Sequence, residues 1–357
     1  MKILFDHQIF ASQKYGGVSK YFAEVIRRLP ENSWEISNTF SDNQYLKEFN
    51  LVKTTPFPVK RNFPGRSRLL AYLGMPKTIC KLIGNRFDVF HQTNFHYYSN
   101  PFLRKPMVVT YHDVNFLTEQ NRNERMVRLQ TASLRRADKI IAISENTKKD
   151  LLSYFDFVDP GKVEVIHHGI DMPCYASTER LCDHPYILYV GMRHLFKNFT
   201  TFARAFARVA KKHPGLKVVC TRYGFTKAEY ELFDELNIRD RMVSMEATEE
   251  MLNRLYRDAE LFVFPSLYEG FGMPILEAMT NGCPVALANA SCFPEIAEDA
   301  GAYFNPTDVD DMAATIARIL DDSQLRASLI EKGRQQCSKF TWQSTADKHL
   351  EVYKSLC

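Results

Sequence analysis

Short β-branched or apolar runs alternate with helical patterns along this chain, and the alternation begins again near its middle. That order closes into parallel sheets with helices on their faces, because a crossover between parallel strands needs a connection long enough to hold a helix. Strands are expected at residues 2–5, 89–91, 107–111, 139–143 and 163–166. A helix is expected over 19–29, where Tyr21, Phe22, Val25, Ile26 and Leu29 recur at three- and four-residue spacing after Gly16-Gly17. The polar, proline-bearing stretch 171–183 reads as a linker. Beyond it come a strand at 186–190 and a helix N-capped by Asn198, with Phe199, Phe202, Ala203, Phe206, Val209 and Ala210 on one face and a stop at Pro214-Gly215. Further strands are expected at 216–220, 261–264 and 285–287, and helices near 249–258, 274–281, 309–321 and 342–355. Two such halves imply a cleft between them, with ligands at the carboxyl ends of the strands.

The 357 residues are 45% hydrophobic and 25% charged, enough for two domains of about 150–200 residues each. The eight cysteines form no Cys-x-x-Cys pair and no Cys/His cluster at zinc spacing, so they read as reduced, mostly buried thiols. The apolar run at residues 1–5 is too short for a signal peptide, and no run approaches the roughly 18 apolar residues of a membrane span. A cytoplasmic protein is expected, with any membrane contact peripheral at the inner face of the plasma membrane. No nucleic-acid partner is expected.

Charge is split unevenly: residues 1–169 hold 25 Lys and Arg against 16 Asp and Glu, and residues 170–357 hold 21 against 26. Residues 51–87 contain eight basic side chains (Lys53, Lys60, Arg61, Arg66, Arg68, Lys77, Lys81 and Arg86) and no acidic one. This segment is either a solvated basic face or a surface for anionic lipid or a phosphate-bearing acceptor. Phe57, Phe63 and Leu69 among the cations suit the boundary between headgroup and acyl chain.

The most informative string runs from Phe264 to Met279, through Glu269-Gly270-Phe271-Gly272-Met273-Pro274 to Glu277. It follows a strand, loops through two glycines and enters a helix at Pro274, where a missing N–H costs nothing. Gly270 and Gly272 let the backbone approach a ligand, and a loop entering a helix N-terminus suits a diphosphate. Glu269 and Glu277 are placed to accept hydrogen bonds from vicinal hydroxyls of a sugar and a ribose. Arg193 and Lys197 lie in another loop between a strand and a helix, where phosphates bind, and a diphosphate leaving group without a metal needs fixed cations. Asp308-Val309-Asp310 has the spacing of a metal site, but aspartates are ordinary in the first turn of a helix.

This string resembles the Glu-x7-Glu signature of glycosyltransferase family 4, retaining enzymes of the GT-B fold. So do Phe5-Asp6-His7-Gln8-Ile9-Phe10, Tyr15-Gly16-Gly17-Val18-Ser19-Lys20-Tyr21-Phe22, Tyr111-His112-Asp113, His168-Gly169-Ile170-Asp171, Gly191-Met192-Arg193, Lys197-Asn198-Phe199 and Phe340-Thr341-Trp342. They are similar to the subgroup that holds bacterial mannosyltransferases of O-antigen and capsule assembly. The resemblance implies an α/β GT-B protein with an acceptor-side Rossmann-like domain in residues 1–170 and a nucleotide-sugar-binding one in 171–339. A C-terminal helix in 340–357 would pack back toward the first.

By the same resemblance Glu269 binds the donor sugar, Glu277 the ribose, Gly16 and Gly17 approach the diphosphate, and His112 faces the reacting sugar. His112 is otherwise open to a purely structural reading. The implied reaction retains anomeric configuration, with a donor phosphate oxygen taking the acceptor proton, and needs no metal or other cofactor. GDP-mannose is the first donor to try and UDP-hexoses the second. A glycan or lipid-linked glycan is the implied acceptor, in bacterial surface polysaccharide assembly. Thr221-Arg222-Tyr223-Gly224-Phe225 departs from the glycine-rich turn common at that point of the family.

Three other readings compete. A nucleotide-sugar epimerase would bind the same donor but need no acceptor. A dinucleotide oxidoreductase fails because Gly16-Gly17 lacks the Gly-x-Gly-x-x-Gly register. A catalytically silent sugar-nucleotide-binding subunit would not need Glu269, Glu277, Arg193, Lys197 and His112 together.

Overall fold

A computed structural model describes residues 1–38, 40–53, 55, 57, 63–114, 123–173, 177, 179–193 and 195–357, the side chains of Tyr97 and Leu195 excepted; Lys60, Arg61 and Cys174 lie outside the described residues. The chain divides into two compact units, Met1–Gly169 with Trp342–Cys357, and Ile170–Thr341. Each is built on one parallel sheet.

In the first unit β1 (Ile3–Phe5), β2 (Trp34–Ile36), β3 (Val89–Gln92), β4 (Met107–Tyr111), β5 (Lys139–Ala142) and β6 (Val163–Val165) lie in the order β2-β1-β3-β4-β5-β6. In the second, β7 (Tyr186–Tyr189), β8 (Lys217–Thr221), β9 (Met242–Met245), β10 (Leu261–Phe264), β11 (Val285–Ala288) and β12 (Gly301–Phe304) lie in the order β12-β11-β10-β7-β8-β9. Inner strands such as Leu261–Phe264 are buried at every position, as parallel strands covered on both faces must be. In both sheets the order reverses beside the first strand, between β1 and β3 and between β7 and β10. Connections leave such a point in opposite directions and open a crevice at the carboxyl edge.

Strands β2, β9 and β12 escape the sequence pattern, and each is a sheet edge with partly exposed positions that weaken any apolar run. The Arg66–Gly84 helix also escapes it, since Gly74 and Pro76 lie inside. Gly74 has a packing reason: an added Cβ would collide with the His7 ring. That close approach lets His7 Nε2 donate to the Ala71 carbonyl at 2.7 Å.

Asn198 corrects an expectation. It stands at the N-cap position of the Phe199–Val209 helix but makes no side-chain cap; its φ is 56°. Its amide instead donates to the Pro265 carbonyl at 3.1 Å and the Pro306 carbonyl at 2.7 Å. A left-handed asparagine here ties three loops of one sheet edge together.

The Trp342–Lys354 helix completes the first unit by packing on the Gly17–Ile26 helix. His349 Nδ1 lies 2.7 Å from the Thr345 carbonyl, which only accepts, so the proton is on Nδ1. Nε2 is then the acceptor for the Tyr21 hydroxyl at 2.8 Å. Tyr353 reaches His91 Nδ1 at 2.7 Å.

Candidate active site

In the second unit the strand order sets the loops after β7 and β10 side by side, and Leu267 N–H donates to the Phe196 carbonyl across them at 2.7 Å. Lys197, at the end of the short Leu195–Lys197 turn, pairs its Nζ with Glu269 Oε1, and both side chains are 17% exposed. Ser291 fixes the Glu269 backbone, accepting from its N–H at 3.2 Å and donating to its carbonyl at 2.6 Å. Gly270 and Phe271 are buried, and Gly272, with φ +86°, turns the chain into the Met273–Thr280 helix. In that helix Glu277 accepts from the Tyr256 hydroxyl at 3.1 Å. Burial and the Glu277 charge together hold the Tyr256 hydroxyl protonated. The structure therefore gathers Lys197, Glu269, Gly270, Phe271 and Gly272 along one loop edge at the switch point, with Glu277 a turn into the helix that follows.

Arg193 sits in the same edge, but its guanidinium is occupied by protein. Nε donates to Glu229 Oε1 at 2.7 Å, Nη2 to the Tyr223 and Gly224 carbonyls at 2.9 and 2.8 Å, and Nη1 to the Thr221 carbonyl at 3.4 Å. Its carbon lies 4.9 Å from the Phe225 ring centre, and the side chain is only 6% exposed. Burial opposes the Glu229 charge, but the Thr226 amide and Arg193 outweigh it and lower that carboxyl's pKa. Arg193 thus clamps the 221–225 turn. Arg222, in that turn, is exposed with φ 75°.

Among the described residues no group of three His, Cys, Asp or Glu is placed to hold a metal. Asp308 caps the Val309–Asp321 helix through the Asp310 and Asp311 amides, and Asp310 pairs with Arg208.

In the first unit Gly16 precedes the Gly17–Ile26 helix in an extended conformation. Gln13 Oε1 accepts the Ser19 amide at 3.0 Å and occupies the space a Gly16 Cβ would need. His112 follows β4, and its buried Nε2 has no hydrogen-bond partner among the described residues. Burial first, and the His349 charge second, push its pKa down to about 3, so the imidazole is neutral. Its ring lies 5.2 Å from Tyr21 and 6.1 Å from His168. This buried cluster of His91, His112, His168 and His349 with Tyr21 and Tyr353 went unread in the sequence, where its members lie far apart. Asp6, after β1, bridges to Thr93 after β3, and burial raises its pKa to about 6 against the bonds from Thr93 and Gln8.

Two family models match, Glycosyltransferase Family 4 over residues 15–172 and Glycosyl transferases group 1 over residues 177–336. The chain belongs to glycosyltransferase family 4. This family 4 glycosyltransferase is 27% identical to the O-antigen chain mannosyltransferase B of Escherichia coli, over 98% of this chain and 99% of that one. The structure of HepE from Anabaena, solved with UDP-glucose, matches with a TM-score of 0.78 at 20% identity, covering 100% of both chains. Sucrose-phosphate synthase from Thermosynechococcus elongatus matches with a TM-score of 0.76 at 21% identity, over 100% of this chain and 99% of that one. Together with the two doubly wound sheets, these neighbours give the family 4 enzyme the GT-B fold.

Proposed function

We propose that the protein transfers a hexose, mannose first among candidates, from a nucleotide diphosphate sugar to a glycan or lipid-linked glycan, with retention and without a metal. The observation that carries this reading is the Lys197–Glu269 pair beside the glycine-rich entry of the Met273–Thr280 helix. A fixed ammonium at the phosphate position stabilises charge developing on the leaving diphosphate, and the adjoining carboxylate accepts from sugar hydroxyls. Glu277, already a hydrogen-bond acceptor, is suited to a ribose diol. Gly16 and Gly17 let the backbone at the start of their helix come close to the diphosphate. A neutral His112 with an unpaired nitrogen is suited to hydrogen-bond the reacting sugar rather than to act as a cation.

The full-length E. coli relative, by its name, supports mannose as the sugar and O-antigen as the setting. UDP-hexoses are the second donors to try, since HepE was solved with UDP-glucose. No helix of the described residues is long and apolar enough to cross a membrane. A cytoplasmic enzyme, peripheral at the inner membrane face, is the setting proposed.

The test is a thermal-shift panel of GDP-, UDP-, ADP- and dTDP-sugars followed by transfer assays, since a ligand bound to the folded state raises its melting temperature. GDP-mannose is expected to give the largest shift and to be consumed in the presence of acceptor and EDTA. An isomerised nucleotide sugar from donor alone would favour an epimerase instead.

A further inference from the structure

The first sheet has its own switch point, and a cavity of 440 Å³ lies there. Gln8 and Ser12 line it from the connection after β1, and Asn94 and His96 from the connection after β3. Its remaining wall includes Arg66, Arg68 and Arg125, with no acidic side chain among the described lining residues. Arg66 is paired with Asp42, which lies outside this cavity. Arg68 and Arg125 are exposed and make no ion pair among the described residues. Both guanidinium charges act on His96, whose pKa is lowered first by burial and then by Arg125 and Arg68, so the three side chains converge.

Backbone donors point the same way. The Arg66–Gly84 helix begins at Gly65, which has no side chain to cap it, and its first i to i+4 bond runs from Leu69 to Gly65. The amides of Ser67 and Arg68 are therefore left at a helix N-terminus that lines the cavity. The Glu124–Arg136 helix also starts there and places Asn123 and Arg125 in the lining, but Asn123 Oδ1 already accepts its Met126 amide at 3.2 Å, so this helix contributes the Arg125 side chain rather than an open N-terminus. The position of His96 is held by Gln8, whose side chain accepts from its N–H at 3.1 Å and donates to its carbonyl at 3.1 Å.

We propose that this cavity binds a phosphate or diphosphate group, carried either by the acceptor or by a lipid headgroup. Planar guanidinium forks, one uncapped helix start and an imidazole supply many donors, with no acid among the described lining residues, which a neutral glycan would not require. The proposal rests on the glycosyl-transfer reading only for its biological meaning; the binding event can be read without it.

The experiment compares the full chain with an Arg68→Gln/Arg125→Gln double variant, both substitutions on exposed side chains. n-Octyl diphosphate is titrated calorimetrically with saturating GDP present to occupy any nucleotide site. The double variant is expected to bind it at least about tenfold more weakly, with GDP affinity unchanged. The His96 pKa, followed by NMR, is expected to rise when octyl diphosphate binds to the wild type. Parallel co-sedimentation with phosphatidylglycerol-containing phosphatidylcholine vesicles separates the sources: equal binding by both proteins assigns the phosphate to the acceptor, and loss in the variant assigns it to a headgroup. Unchanged octyl diphosphate affinity in the variant overturns the proposal, as does equally tight binding of D-glucuronate. Failure of GDP to bind either protein would count against the donor reading and leave the cavity comparison intact.

Discussion

Lys197 and Glu269 hold each other across two loops, and each has a second task in the proposed reaction. Lys197→Ala is expected to lower the transfer rate at least about tenfold, because a cation is removed from the leaving group. Its melting temperature should stay near that of wild type, as partly exposed ion pairs contribute little to stability. Arg193→Ala should behave differently. Losing three bonds to the 221–225 turn and one to Glu229 is expected to cost about 1–3 kcal/mol of stability, seen in urea unfolding, along with any loss of rate. Wild-type stability in Arg193→Ala would refute its role as a clamp. The placement of Lys197 and Glu269 in loops and of Glu277 in a helix was legible because strand ends and helix entries are local in sequence. The clamp was not, since Arg193 is committed by Glu229, 36 residues away, and by carbonyls that carry no side-chain signature.

Gly272 and Asn198 show how loop conformation, rather than loop composition, builds the site edge. Gly272→Ala is expected to destabilise by about 1–3 kcal/mol, because φ of +86° disfavours an L side chain and the new Cβ would lie 3.1 Å from Ile275 and 3.2 Å from Phe293. Chemical denaturation of that variant measures it, and an unchanged midpoint would contradict the strained turn. The inner strands and the amphipathic Phe199–Val209 helix were readable because burial on both faces, or along one stripe, writes itself into periodicity. Edge strands β2, β9 and β12 were not, being partly solvated. Charged helices such as Glu124–Arg136 and Lys227–Leu236 were unread because few of their apolar side chains are buried, Leu129 and Leu134 in the first and Phe233 in the second. The Arg66–Gly84 helix was hidden by its own glycine and proline, although its basic residues were noted.

The distribution of buried titratable groups sets how the protein meets acid. His7 and His349 have pKa values lowered to about 4 and His112 to about 3, and burial also lowers those of His91 and His168. All five lie in the first unit. A depressed folded-state pKa contributes stability that is present above the unfolded value of 6.5 and lost as pH falls toward the folded one. Asp6, raised to about 6 from 3.8, acts in the opposite sense: its contribution is full below 3.8 and lost as pH rises through 6. Near pH 5 the five imidazoles outweigh the one carboxyl, and unfolding should take up about four protons. The urea midpoint is therefore expected to fall steeply from pH 7 to pH 5, and more steeply in Asp6→Asn. A midpoint flat over that interval would show that these imidazoles are not held neutral.

Because Trp342–Cys357 belongs to the first unit while Ile170–Thr341 is continuous, the second unit is an insertion in the chain of the first. On a ribosome the inserted unit is fully synthesised before its host has the Trp342–Lys354 helix. Tyr21 and His91 then wait for His349 and Tyr353 until residues 342–357 emerge. The order of completion during synthesis is thus the reverse of the order in which the two units begin, and a stop codon near residue 341 would cripple the domain encoded first.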